Sequence, residues 1–488
     1  MRDSSLIKAC RKLSKKEWKF LERLVNSPYF NTDKTVIRLF EILKKDHPEF
    51  DSPRRLKKEL VYAKLFNDKS EYDKNRIYPI MSNLKGLIDT LIIQESLKKK
   101  PRVQNQLKLD WLQVQDDHDM FEGEIVKQIR NLESRQELSI EDHEYLYDLH
   151  YRWQNHPQTQ RPKIKKDALL NHLWQATASK CLSLMADLHN RRQMLSEKPL
   201  LDDSSMLSFI SMQNYFYSAS IEGYAKIIQM YDGKLQYSEV KAWVVDHWDS
   251  FSRQAQREFW THLLNQSGFL NRQGEPGYLD ESWNLYQMGI NHALITQDGY
   301  ISDLVYVNMI AAAAVAKEIR LAKNLVDGYL PYLKPQFAPF TKALALAYIY
   351  FYEGKWSEDP IYLERCLDEL LIYKQSRSPI VRFTLRAHCI RLRAIYDLYY
   401  TFHGRKIDLD SFDKAKDSFE RFLTRNKSDS MLPYRNFLKV ISRLAHLYFE
   451  DGNFSDYNSK KAKLKADVVE FKNLLFRDWF MEKVEALT

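Results

Sequence analysis

Glycine is scarce in this 488-residue chain, with 13 residues, and proline is little commoner, with 15. Sheet-rich folds need many tight turns, and those turns draw on both residue types. Their scarcity argues for long helices. No segment shows a convincing alternation of apolar and polar residues with the period of two that marks a half-buried strand. Cysteine is rarer still: Cys10, Cys181, Cys366 and Cys389 have no metal-ligand spacing, and their scatter does not suggest a disulfide framework. Long hydrophobic runs are missing too. The most apolar stretches, Met309–Ala316 and Leu344–Tyr352, fall short of the roughly 20 residues that span a bilayer. The N-terminal residues Met1-Arg2-Asp3-Ser4-Ser5 lack the apolar run of a secretory signal. A reducing, cytoplasmic setting without a membrane span is the expectation. Catalytic signatures are absent as well: there is no Gly-rich phosphate loop, no His-Glu-x-x-His, no Cys-x-x-Cys and no Gly-x-Ser-x-Gly.

What is present is a folded chain's composition, 44% hydrophobic and 28% charged, which excludes wholesale disorder. The formal charge is +9, and it is unevenly spread. Residues 1–100 hold 24 Lys and Arg against 14 Asp and Glu, whereas the remainder, with 50 against 51, is balanced. One end carries the whole basic excess.

Helix signals begin early. Ser14 and Glu17 have capping-box spacing, with Leu13 and Trp18 placed as a hydrophobic staple; Phe20, Leu21, Leu24 and Val25 continue the stripe to Ser27-Pro28. A second helix is predicted over Lys34–Lys45, with Val36, Leu39, Phe40 and Leu43 on one face. A third is predicted to start at Ser52-Pro53. A fourth runs from about Tyr72 to Gln94, with Ile77, Met81, Leu84, Ile88, Leu91 and Ile92 inward. The run Lys98-Lys99-Lys100-Pro101-Arg102 marks a boundary. Helical periodicity then continues through Leu107, Trp111, Phe121, Ile125, Ile129 and Leu132, a capping box stands at Ser139–Asp142, and an amphipathic stretch covers Lys166–Leu195. Turns are predicted at Asp232-Gly233, Gln273–Gly277, Gln297–Gly299, Glu353-Gly354 and Asp451-Gly452.

One phrase occurs twice. Leu346-Ala347, Tyr350, Gly354 and Trp356 are matched by Leu444-Ala445, Tyr448, Gly452 and Phe454, 98 positions later. That is close to three periods of roughly 34 residues. With Cys366 as the small residue of a following helix, the phrase resembles the tetratricopeptide repeat. A weaker copy lies at Ile310–Tyr329, with Ala311–Ala314 and Ala322 as small residues and Lys317 in place of the turn glycine. Ala415 and Phe419 match a second helix only.

The resemblance implies a superhelical stack of antiparallel helix pairs over residues 201–488; the charge count and helical periodicity add a basic helical segment at 1–102 and long linking helices at 103–200, for an all-α fold throughout. It also implies a concave groove. The corresponding positions are Thr341, Leu344, Tyr348, Phe351 and Tyr352 in one repeat, and Lys439, Ser442, Arg443, His446 and Phe449 in another. Aromatic and basic groups together suit an extended peptide carrying carboxylates.

Other candidates are single features. Arg54, Arg55, Lys57 and Lys58 crowd the expected start of the third helix, the positive end of its dipole. An acidic partner or a phosphate backbone would relieve that conflict, and so would Asp46, Glu49 and Asp51 just upstream. His388-Cys389 could pair as base and nucleophile, but Cys389 lies on an apolar face and reads as core. Asp116-Asp117-His118-Asp119 reads as a charged surface segment rather than a ring of hard ligands. His143 and His150, seven apart, could share a face, but no third ligand is visible along the sequence. No cofactor or metal is therefore expected. The leading expectation is a non-enzymatic adaptor that binds a protein or peptide on a helical-repeat surface. The alternative is a nucleic-acid-binding regulator that touches phosphate through its basic N-terminal helices.

Overall fold

A computed structural model describes residues 1–52, 54–66, 72–115, 117–156, 166–195, 218–376, 378, 380–401, 409–426, 431–449, 457–471 and 474–487. Within these residues the chain is all-helical apart from one two-stranded hairpin. It divides into two compact units, residues 1–130 with 153–163, and residues 131–152 with 164–488.

The first unit is built around one long helix. α1 (Ser5–Cys10), α2 (Lys15–Val25) and α3 (Lys34–Lys44) pack on α5 (Lys74–Lys98), and α4 (Lys58–Phe66) packs on α3. The α2 start follows its sequence signals. The Glu17 amide donates to Ser14 Oγ at 3.3 Å, and the Ser14 amide donates to Glu17 Oε2 at 2.8 Å. Leu13 and Trp18 are both buried, and Trp18 stacks on Phe40 with ring centroids 5.1 Å apart. Leu21, Val25, Val36, Leu39, Phe40, Leu43, Ile77, Leu84 and Ile88 form the core.

Three expectations here need correction. The third helix begins at Lys58, not at Ser52; Pro53 lies outside the described residues. Ile92 points outward, about half exposed. Lys98–Arg102 is a joint between helices: Pro101 occupies the first turn of α6 (Pro101–Val114), and the unit continues to Arg130. The division between units falls within α7 (His118–Glu133) and α8 (Ile140–Asn155).

In the second unit, α9 (Lys166–Leu195) spans the stretch expected from its pattern and packs along α10 (Ala219–Tyr231). Next come α11 (Tyr237–Asp246), α12 (Arg253–Gln273) and α13 (Tyr278–Asn291). Gly233, Gly274 and Gly277 close the intervening turns with positive φ. The Gln297–Gly299 turn joins β1 (Thr296–Gln297) to β2 (Tyr300–Ile301), strands too short to show any period. The remaining helices are α14 (Asp303–Val315), α15 (Ile319–Tyr329), α16 (Ala338–Ser357), α17 (Pro360–Gln375), α18 (Val381–Tyr396), α19 (Leu409–Arg425), α20 (Leu432–Phe449), α21 (Tyr457–Glu470) and α22 (Arg477–Glu485). From α12 onward each helix packs on its neighbours in the chain. In addition, α14 touches α16, α16 touches α18, α18 touches α20, and α20 touches α22.

The elbows of these pairs are not where glycine suggested. Gly354 lies inside α16. Its missing side chain admits Leu363 of α17: an added Cβ would stand 3.0 Å from Leu363 Cγ and 3.3 Å from its backbone nitrogen. The turn comes four residues later, at Glu358 with φ 54°. The preceding pair turns at Lys317, φ 66°, where the Glu318 amide donates to Ala313 O at 2.9 Å. Both elbows thus place ordinary L-residues in the left-handed region. Trp356 ties one elbow to the other, its indole donating to Ala314 O at 3.1 Å. The Asp451-Gly452 turn lies outside the described residues.

The far end of the unit folds back. Arg393 of α18 is 1% exposed. Its guanidinium lies 4.2 Å from the Phe351 ring centroid on α16, 4.1 Å from Phe476 and 5.4 Å from Trp479 on α22. One turn on, Asp397 accepts a hydrogen bond from Trp479 Nε1 at 3.1 Å and forms an ion pair with Lys483 Nζ at 2.9 Å. Lys355 of α16 pairs with Glu482 of α22 at 2.5 Å. Arg477 lies against the turn after α12, where a Cβ on Gly274 would meet its side chain at 3.1 Å.

Glycine at an elbow relieves left-handed strain, so Glu358→Gly and Lys317→Gly should each raise stability by about 0.5–1 kcal/mol in urea denaturation. With an elbow at Gly354 instead, glycine at 358 would cost about 1 kcal/mol by weakening the next helix. Arg393→Ala empties a box of aromatic rings and should cost about 3 kcal/mol or more.

Candidate functional site

The expected concave lining is core. Thr341, Leu344 and Phe351 are fully buried and Tyr348 nearly so. This corrects the groove assignment, and the reason is physical: Arg393 and the start of α22 occupy the space beside Phe351 that an open groove would leave to a peptide. Tyr352 is half-buried at the edge of the same box, 5.8 Å from the Arg393 guanidinium. On α20, Lys439 is exposed and lies over the Phe471 ring at 5.0 Å. Arg443 pairs with Asp467, Ser442 Oγ donates to Leu438 O, and His446 is exposed. The Phe449 side chain lies outside the described residues. The two sets sit on α16 and α20, and α18 packs on both.

The basic cluster also changes. Arg54 and Arg55 precede α4, while Lys57 stands at its N-cap, its carbonyl accepting from the Val61 amide at 3.0 Å, and Lys58 in its first turn, so two of the four cations oppose the helix dipole. Arg55 donates to Lys45 O at 3.2 Å and lies 3.7 Å from Asp46. Lys58 Nζ donates to the Tyr78 hydroxyl at 3.2 Å. Asp51 is engaged elsewhere, by Arg2 at 3.3 Å and Arg11 at 3.2 Å. A cleft of about 720 Å³ opens beside the cluster, lined by Arg2, Lys57, Lys58 and Lys85 but also by Asp3 and Glu59. Its lining is mixed in sign, not a uniform phosphate cradle.

His388 and Cys389 belong to packing. Cys389 is buried, and burial pushes its thiol well above the ordinary range, as it does for Cys366. His388 stacks on Phe419 at 4.9 Å. Asp117 caps α7, its Oδ1 accepting from the Met120 amide at 3.1 Å. Asp116 lies outside the described residues.

A third group emerges from helices distant in sequence. Asp142 folds back onto Ser139, accepting from its amide at 2.9 Å and donating its own amide to Ser139 Oγ at 3.1 Å. This capping box sets the start of α8 and hence the faces of His143 and His150. His172, early in α9, meets both. Its Nδ1 is 3.0 Å from His143 Nδ1, and its ring stacks on His150 with centroids 5.7 Å apart. His150 and His172 are 4% and 6% exposed. Glu133, the last residue of α7, completes the group: one ligating atom each from Glu133, His150 and His172 lies within 4.8 Å of the others. Sequence reading found His143 and His150 but missed His172 and Glu133, because no local spacing links residues brought together by three helices.

No family model, curated protein or solved structure matches the chain.

Burial pushes His262 and His388 down from 6.5 to about 4. Between these values the unfolded chain takes up protons that the folded chain refuses. Stability is therefore full above pH 6.5 and is lost as pH falls toward 4. His388→Asn should lose less stability than the parent from about pH 7 to about pH 4.5, by about 2 kcal/mol in urea titrations.

Proposed function

We propose that this chain is a non-catalytic interaction scaffold: a stack of antiparallel helix pairs similar to tetratricopeptide repeats, joined to an N-terminal helical unit that docks a protein partner. The contacts of each helix from α12 to α22 with its chain neighbours, and of α14, α16, α18 and α20 with the helix two places on, support the stack. The interior beside Phe351 is filled by Arg393 and Phe476, so the partner surface lies elsewhere.

One observation carries the reading. On α6, Val103, Leu107, Trp111 and Val114 are exposed by 38%, 52%, 60% and 81%. At 100° per residue they fall within an arc of about 80°. Leu109 and Leu112 on the opposite side are buried, so the helix is already anchored by its other face. A continuous apolar stripe with a central tryptophan, at i, i+4, i+8 and i+11, has the form of a helix presented to a partner's groove. Tryptophan is also the side chain most often found at the energetic centre of such contacts. The nucleic-acid reading has less support, because the basic cluster is partly paired and its cleft mixes charges.

The test is affinity capture from native lysate with Leu107→Ser/Trp111→Ser beside the parent chain, with and without nuclease. Helix content by circular dichroism should be equal in both. The double variant should lose at least tenfold of the captured partner, as expected when a central aromatic anchor is removed. Equal capture by the variant overturns the α6 assignment. Capture that vanishes with nuclease turns the function toward nucleic acid.

A further inference from the structure

We propose that Glu133, His150 and His172 bind one divalent transition-metal ion, Zn²⁺ by preference, with His143 as the residue that positions His172. Nothing in the scaffold reading requires such a site.

The donor set is that of a borderline-soft cation. Two imidazoles and one carboxylate suit Zn²⁺, whereas Mg²⁺ and Ca²⁺ ask for oxygen ligands throughout. The geometry is close to what the ion needs. Zinc bonds of about 2.0–2.2 Å at tetrahedral angles place ligand atoms about 3.2–3.6 Å apart. Here the three ligating atoms already fall within 4.8 Å of one another. Glu133 is the exposed member, the one whose side chain is least held by packing.

The two histidines are held more firmly. Both are buried, and each comes from a different helix, His150 from the middle of α8 and His172 from the first turns of α9. Of the two nitrogens of His172, Nδ1 faces His143 at 3.0 Å, which leaves Nε2 for the ion. Metal-bound imidazoles are usually oriented, and their tautomer fixed, by an acceptor for the second nitrogen's N–H; here the His143 nitrogen takes that place. Three protein ligands leave a fourth tetrahedral position for water. The ion would join the end of α7 to α8 and α9, so binding would add directly to the stability of this part of the chain.

The full-length chain, stripped with a chelator, is titrated with ZnCl₂ by calorimetry. The expected result is one site of micromolar or tighter affinity and a melting temperature that rises with zinc. His150→Gln and His172→Gln should each weaken binding at least tenfold, the usual loss for a zinc ligand or its orienting partner. Glu133→Gln should weaken it as well, and His143→Gln, which removes the orienting contact, by about tenfold. His118→Gln, which disturbs the separate contact between His118 and His156 Nδ1 atoms at 3.1 Å, should leave the affinity unchanged. Where a histidine variant fails to fold, Co²⁺ added to the parent chain decides, through the intense visible absorption of a four-coordinate ion. A parent chain that takes up no zinc at micromolar concentration, or zinc binding untouched by His150→Gln and His172→Gln, overturns the proposal.

Discussion

A positive charge sealed among aromatic rings fixes the second unit. Arg393 cannot reach water, and a guanidinium so placed needs compensation that does not come from solvent. Phe351, Phe476 and Trp479 supply ring faces. Asp397 supplies negative charge nearby and is itself held by Lys483 and Trp479. Every one of these partners except Phe351 and Asp397 comes from the last helix or the residue just before it. The box therefore cannot close until α22 has docked. It stabilises one arrangement of α16, α18 and α22 rather than merely adding apolar contact.

That constraint also explains which parts of the fold could be read from the chain alone. Helix starts were legible where the signal is local. Ser14 with Glu17 and Ser139 with Asp142 bond within one turn, and Lys166–Leu195 carries its own periodicity. The boundary at Ser52 failed because a capping residue followed by proline only permits a helix; the chain there makes a turn first and commits at Lys58. Elbows were less legible. A search for glycine assumes that glycine marks left-handed backbone, yet Lys317 and Glu358 occupy that conformation. Gly354 answers a different need, the approach of Leu363. Sequence places a glycine but does not say which of its two properties is in use.

The candidate sites divide in the same way. Tyr348 and Phe351 sit at groove positions only if the stack is open, and the return of α22 is a tertiary event without a local signature. His143 and His150 were visible as a pair, but the partner that gives them meaning, His172, is positioned by the packing of α8 and α9. The exposed stripe on α6 was visible as periodicity through Leu107 and Trp111 and was readable only as a face, because burial on one side or the other is decided by neighbours.

The contact between Arg477 and the turn at Gly274 has a mechanical corollary. In an open array of helical repeats, either terminus can fray without disturbing the other, and removing a repeat merely shortens the rod. Here Arg477 of α22 lies against the turn that follows α12. Loss of the final helix would uncover Phe351 and Arg393, so the melting of α22 is coupled to that of α16 and α18 rather than confined to the end of the series.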